Sequence, residues 1–230
     1  PEWTHPTIGR GVYTLAEASR LTGYHHSTVR SWFCPTLTMS SEPLFQGDYR
    51  DTGESKLISF FDLVDISVAG MLRRRGISMH TVRKVHNKLQ TVLDTDHPFC
   101  LDSFHIYLEG KRVYIDFEPD SDEGSLVDML TDQHFIATVM MPHLQRFEYE
   151  GAPKRTVRWN IFQDVVLDPE LRFGEPVVKG TRISTIVLAR AFVAEDEDAA
   201  FVGELYGVSP AQVMSAVAFE RQLSERKKAA

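Results

Sequence analysis

Apolar residues along the chain fall first into helical spacing, then into alternation, then back into helical spacing. Leu15, Ala18 and Leu21 share one face of a helix that starts at Thr14, where Thr14 and Glu17 form an S/T-x-x-E capping box, and stops at Gly23. A second short helix runs from about His26 to Phe33 with Val29 and Trp32 inward. Residues 34–57, with Pro35, Pro43, Gly47 and Gly53 around short apolar stretches, predict an irregular β-hairpin with Arg50 near its tip. Ser59 and Asp62 bracket the next helix start; Leu63, Ile66, Met71 and Leu72 carry it to Arg73, Arg74, Arg75 and a Gly76 stop. Ser78 opens a further helix with Val82, Val85 and Leu89 inward, ended by Asp94, Asp96, His97 and Pro98.

The pattern then changes to period two. Phe104, Ile106 and Leu108, then Val113, Ile115 and Phe117, alternate across Glu109-Gly110-Lys111 and predict a β-hairpin. A helix is expected over Phe135–Leu144, and Arg146–Tyr149 with Thr156–Trp159 as another strand pair. After a short strand at Val165-Val166-Leu167 comes Gly174-Glu175-Pro176-Val177-Val178-Lys179-Gly180-Thr181-Arg182-Ile183, read as turn, extended segment, turn and helix start, with Thr181 as the cap. Ile183, Ile186, Val187, Ala189, Ala191 and Phe192 recur at helical spacing up to the acidic run Glu195–Asp198. A second helix passes through Ala200, Phe201 and Leu205 to Gly207, and a third begins at Ser209-Pro210 with Val213, Ala216, Val217 and Phe219 inward. The fold expected is mainly α with small β elements, in three parts: 1–93, an α+β segment over 94–160, and a three-helix unit over 161–230.

Composition adds a partner class. With 230 residues and 43% hydrophobic content the chain can bury a core in each part. It contains no run approaching the roughly 20 apolar residues of a membrane span, so the expected location is the cytoplasm. Two cysteines, Cys34 and Cys100, are too few for a disulfide framework or a four-cysteine metal site. The net charge of −7 is unevenly spread: residues 1–90 carry 11 basic and 8 acidic side chains, residues 91–150 carry 3 and 13, and residues 151–230 carry 11 of each. A nucleic-acid partner is therefore expected for the first part, and for the last as a weaker alternative.

The two N-terminal helices with a glycine turn between them form a helix-turn-helix pattern whose second helix offers His26, Ser27, Arg30 and Ser31 to phosphates and base edges. The bland alternative is a core α-hairpin with a polar outer face. Glu118, Asp120 and Asp122 invite a calcium reading, but the positions an EF-hand needs for glycine and the last ligand hold Glu123 and Met129. A solvated acidic loop is the reading kept, with no metal and no cofactor expected. Lys179 and Arg182 stand beside a helix N-terminus and suit either phosphate or turn carbonyls, Arg182 then tying to Asp168 or Glu170. No nucleophile elbow, P-loop or Cys/His pair points to an enzyme.

Tyr13-Thr14-Leu15-Ala16-Glu17, Thr22-Gly23, Thr28-Val29-Arg30-Ser31-Trp32, Phe61-Asp62-Leu63 and Leu72-Arg73-Arg74-Arg75-Gly76-Ile77-Ser78 together resemble the MerR-type winged helix-turn-helix. That resemblance implies a reading helix carrying Ser27, Thr28 and Arg30 and a wing touching backbone through Arg50. His25 and His26 depart from it, standing where a cap and a small residue are usual. Leu167-Asp168-Pro169, the Gly174–Ile183 stretch, Leu205 to Val213 and Ala216 to Phe219 resemble a small bacterial domain family of unknown function, typically the antitoxin partner of a PIN-like ribonuclease toxin. The combined architecture resembles VapB-like type II antitoxins. It implies a cytoplasmic homodimer that sequesters a PIN-like ribonuclease toxin and represses its own operon by binding operator DNA. Candidates for toxin contact are Asp120 and Asp122, as RNA mimics, and Arg221 and Arg226 from the tail. The alternative is a MerR-like ligand-responsive transcriptional regulator, with its pocket in residues 99–160.

Overall fold

Helix α1 (Leu15–Thr22) begins where its capping box puts it, Thr14 Oγ1 accepting from Glu17 N and Glu17 Oε2 accepting from Thr14 N. In this computed structural model the described residues are 9–34, 43–49, 56–103, 105–109, 112–116, 126–128, 134–135 and 146–229. They are mainly helical with small antiparallel sheets and divide into two compact units, Pro1–Phe60 with Arg158–Ala230, and Phe61–Val157.

In the first unit, β1 (Tyr13–Thr14) leads into α1, α2 (His26–Phe33) follows, and β2 (Leu57–Ile58) returns to pair antiparallel with β1, Tyr13 opposite Ile58. The predicted hairpin over 34–57 falls largely outside the described residues, Arg50 included. The closing segment enters through β8 (Arg155–Phe162), β9 (Val165–Leu167) and β10 (Val177–Val178), paired in the order β10-β9-β8. Three helices follow, α5 (Thr185–Ala194), α6 (Ala199–Tyr206) and α7 (Pro210–Ala229). Val178, Leu188, Phe192, Val202, Val213, Ala216 and Val217 pack into one buried cluster. Each large side chain there contributes about 1.5–3 kcal/mol over leaving it exposed. The N-cap position of α5 falls on Ser184 rather than Thr181, because Thr181 Oγ1 donates to the Val178 carbonyl and accepts from Ile183 N, closing the preceding turn.

The second unit holds nearly all of α3 (Phe60–Arg74), then α4 (Met79–Leu93) and a four-stranded antiparallel sheet. That sheet runs β3 (His105–Glu109), β4 (Arg112–Asp116), β5 (Leu126–Asp128) and β6 (His134–Phe135). The register sets Ile106 opposite Ile115 and Leu108 opposite Val113, as the alternation required. The helix expected over Phe135–Leu144 meets strand β6 at Phe135, and its remainder lies outside the described residues. Strand β7 (Phe147–Glu150) neighbours β8, close to the strand pair expected there. Helix α4 is capped by Ser78, whose Oγ accepts from Thr81 N, and buries Val82, Val85, His86 and Leu89.

Candidate nucleic-acid interface

Helix α2 sits at the surface because only Val29, Trp32 and Phe33 of its eight residues are buried. Gly23 ends α1 in the left-handed region at φ 75°, its N–H bonded to the Ser19 carbonyl, so the chain reverses within three residues. His25 then caps α2: its Nδ1 accepts from Ser27 N at 3.3 Å and lies 2.7 Å from Ser27 Oγ. The histidine that departs from the usual pattern therefore fills the capping role itself. Ser27, Arg30 and Ser31 are exposed, and His26 and Thr28 are half-buried. The Arg30 guanidinium has no partner among the described residues, so its five donors stand beside two hydroxyls on one outward face.

The Gly174–Arg182 stretch is docked by groups far away in sequence. Tyr13 Oη donates to the Gly174 carbonyl at 2.8 Å, and Gly174 adopts φ 87° with its α-carbon against the tyrosine ring. Burial, and secondarily the Tyr49, Glu17 and Asp168 charges, push the Tyr13 phenol well above its ordinary range, which keeps it a neutral donor. The expected tie from Arg182 to Asp168 is made instead by Arg158, whose Nε lies 2.8 Å from Asp168 Oδ2 while Asp168 Oδ1 accepts from Glu170 N. The register that sets Trp159 opposite Leu167 also brings Arg158 opposite Asp168, a cross-strand pair no local pattern announces. Arg182 is exposed with no partner among the described residues, and Lys179 Nζ donates to Asn160 Oδ1 at 2.8 Å.

The tail arginines separate. Arg221 lies 3.9 Å from Glu197 with both side chains mostly exposed, which contributes little. Arg226 Nη1 donates to the carbonyls of both Arg20 and Leu21 at 2.9 Å, closing the C-terminal end of α1. Asp120 and Asp122 lie outside the described residues. Among the described residues no group of three or more His, Cys, Asp or Glu side chains could hold a metal, and no helix is long and apolar enough to cross a membrane.

Beside α1, α5 and α7 the first unit also contains a cleft of about 360 Å³. Tyr13, Leu21, Pro176, Ile186 and Leu223 give it apolar walls. Its acids are engaged: Glu17 in the capping box, Glu175 with Arg172 at 2.9 Å, and Glu220 with Thr185. Its two cations, Arg20 and Arg190, have no side-chain partner among the described residues.

Residues 165–219 match the family described as "Protein of unknown function (DUF433)". That span covers β9, β10, α5, α6 and the first half of α7. The chain is also 25% identical over 224 residues to a Mycobacterium tuberculosis protein named "Putative antitoxin VapB45", covering 90% of this chain and 92% of that one. In fold it is similar to the X-ray crystal structure of Rv2018 from Mycobacterium tuberculosis, with a TM-score of 0.63 at 20% identity over 89% of this chain and 96% of that one.

Proposed function

We propose that this chain is the antitoxin of a type II toxin–antitoxin pair, a non-enzymatic homodimer that captures a PIN-like ribonuclease toxin and represses its own operon. The observation that carries this reading is the near end-to-end alignment with the M. tuberculosis protein named as an antitoxin. The match to the DUF433 family over the C-terminal helices supports it. In this reading α1 and α2 form the helix-turn-helix, and α2 lies in the major groove of the operator with Ser27, Thr28 and Arg30 at base edges. Arg182, exposed at the entrance to α5, is a candidate for backbone contact, whereas Lys179 is held by Asn160.

The DNA half of the proposal has a direct test. Arg30→Ala is expected to weaken operator binding by about 1–3 kcal/mol, roughly 5- to 150-fold, because a guanidinium bidentate to a base contributes that much. Electrophoretic mobility shifts across a salt series check it, and the wild type should lose affinity steeply as salt rises. Unchanged affinity in the Arg30 variant at every salt concentration removes α2 as the reading helix.

A second reading, a ligand-responsive regulator, is favoured by the cleft beside α1, which no residue of the expected 99–160 segment lines and whose two arginines have no side-chain partner among the described residues. A melting-temperature screen in which an anionic metabolite stabilises the wild type but not an Arg20→Ala/Arg190→Ala variant supports that alternative.

A further inference from the structure

Helices α5 and α6 are apolar around most of their circumference, yet each buries only one side. In α6 the sole charged residue is Glu204. The side facing the module core is built from Val202, fully buried, and Gly203, where an added Cβ would stand 2.7 Å from the Val208 carbonyl oxygen. The opposite side presents Phe201 at 49% and Leu205 at 60% exposure, one helical turn apart. Val193, in the last turn of α5, is 68% exposed. A helix with two apolar sides and one buried side has a surface that solvent alone does not justify.

Every charged residue between Val193 and Leu205 is acidic. Glu195, Asp196 and Glu197 form the α5–α6 turn and are exposed, as is Glu204 on α6. Asp196 and Glu197 hold the left-handed region in succession, at φ 50° and 64°, a conformation that glycine would adopt without strain. One cation reaches this rim: Arg221 lies 3.9 Å from Glu197 and is largely exposed. Asp198 is committed to capping α6, its Oδ1 accepting from Ala200 N and Phe201 N.

We infer that the Val193–Phe201–Leu205 face with its acidic rim at Glu195–Glu197 and Glu204 is the docking surface for a protein partner that presents an apolar contact flanked by lysines or arginines. Charge complementarity selects this occupant. Nucleic acid would be repelled by the acids and would leave the apolar centre wet. A second copy of the chain, meeting through the same face, would set two acidic rims around one axis. A basic, RNA-handling protein matches the acidic rim, since its substrate groove must carry cations for phosphates. The inference thus rests on the antitoxin reading and assigns that reading its contact surface.

The test uses the purified full chain and the purified product of its neighbouring gene, titrated calorimetrically, with circular dichroism melts and operator binding as controls. Phe201→Glu/Leu205→Glu is expected to weaken the complex at least tenfold while leaving the melt and operator affinity in place. Glu195→Gln/Asp196→Asn/Glu197→Gln, which keeps the Asp198 cap, is expected to weaken it several-fold and to flatten its salt dependence. Wild-type binding that neither variant disturbs overturns the docking surface and leaves the antitoxin reading intact. Loss of a homo-oligomer in the Phe201/Leu205 variant, by light scattering, with partner binding retained, overturns the inference in favour of self-association. Failure of the wild type to bind the neighbouring product overturns the antitoxin reading and this surface together.

Discussion

Gly174→Ala is expected to destabilise the protein by about 3 kcal/mol or more, far beyond an ordinary glycine substitution. Two costs add at this position. The backbone holds φ 87°, and an L-residue there pays roughly 1–2 kcal/mol. An added Cβ would also lie 2.2 Å from Tyr13 Oη and 2.8 Å from Tyr13 Cζ, so the ring must move and its hydrogen bond to the Gly174 carbonyl is lost. Displacing a packed aromatic ring costs about 1–3 kcal/mol further, and the phenol left without its acceptor adds to that. Gly180→Ala is the internal control: its φ is 79°, but nothing lies within 4 Å of the new methyl, so only the backbone cost of about 1–2 kcal/mol applies. Urea unfolding of the two variants measures the difference. Equal losses would show that the Tyr13 contact has no energetic weight.

Acid is expected to loosen the second unit through His86. The imidazole is buried on α4, 5.3 Å from the Phe99 ring, and its pKa is lowered from 6.5 to about 4. Burial is the main cause, with the His97 and Arg83 charges lowering it further and a hydrogen bond with Asn87 opposing. The folded state therefore binds fewer protons than the unfolded chain between about pH 4 and 6.5. Stability is fully present above pH 6.5, falls as pH drops through that window, and is lower by about 3 kcal/mol once pH passes below 4. Hydrogen exchange of the α4 amides at pH 7 and pH 4.5 checks this, and His86→Leu should flatten the dependence. An unchanged pH slope in that variant would assign the acid sensitivity to other groups.

The parts of this fold that sequence reveals are those whose causes are local. The starts of α1 and α4 follow from side chains within three residues of the cap, Thr14 with Glu17 and Ser78 with Thr81. The strand pairing of β3 with β4 follows from alternation across a short turn. What escapes is set by partners distant in sequence. The Gly174 turn was legible as a turn, but its lock is Tyr13, 161 residues away. Arg158 could not be singled out without the β8–β9 register that places it on Asp168, so Arg182 looked like the natural partner. Arg226, a charged tail residue by composition, is held by two carbonyls of α1 more than 200 residues earlier. Thr181 was a reasonable helix cap until the turn claimed its hydroxyl. On α2 the outward polar face was readable from period alone, because Val29 and Trp32 fix which side is buried.

Neutralisation of a ribonuclease by direct binding is the role we propose for this chain. Its most direct test is to mix the purified chain with the purified product of the adjacent gene and follow cleavage of a structured RNA as the ratio rises. The expected result is a stable complex in which cleavage falls to background at a fixed stoichiometry. An active ribonuclease whose cleavage is unaffected at any ratio, with no complex by size exclusion, would contradict it.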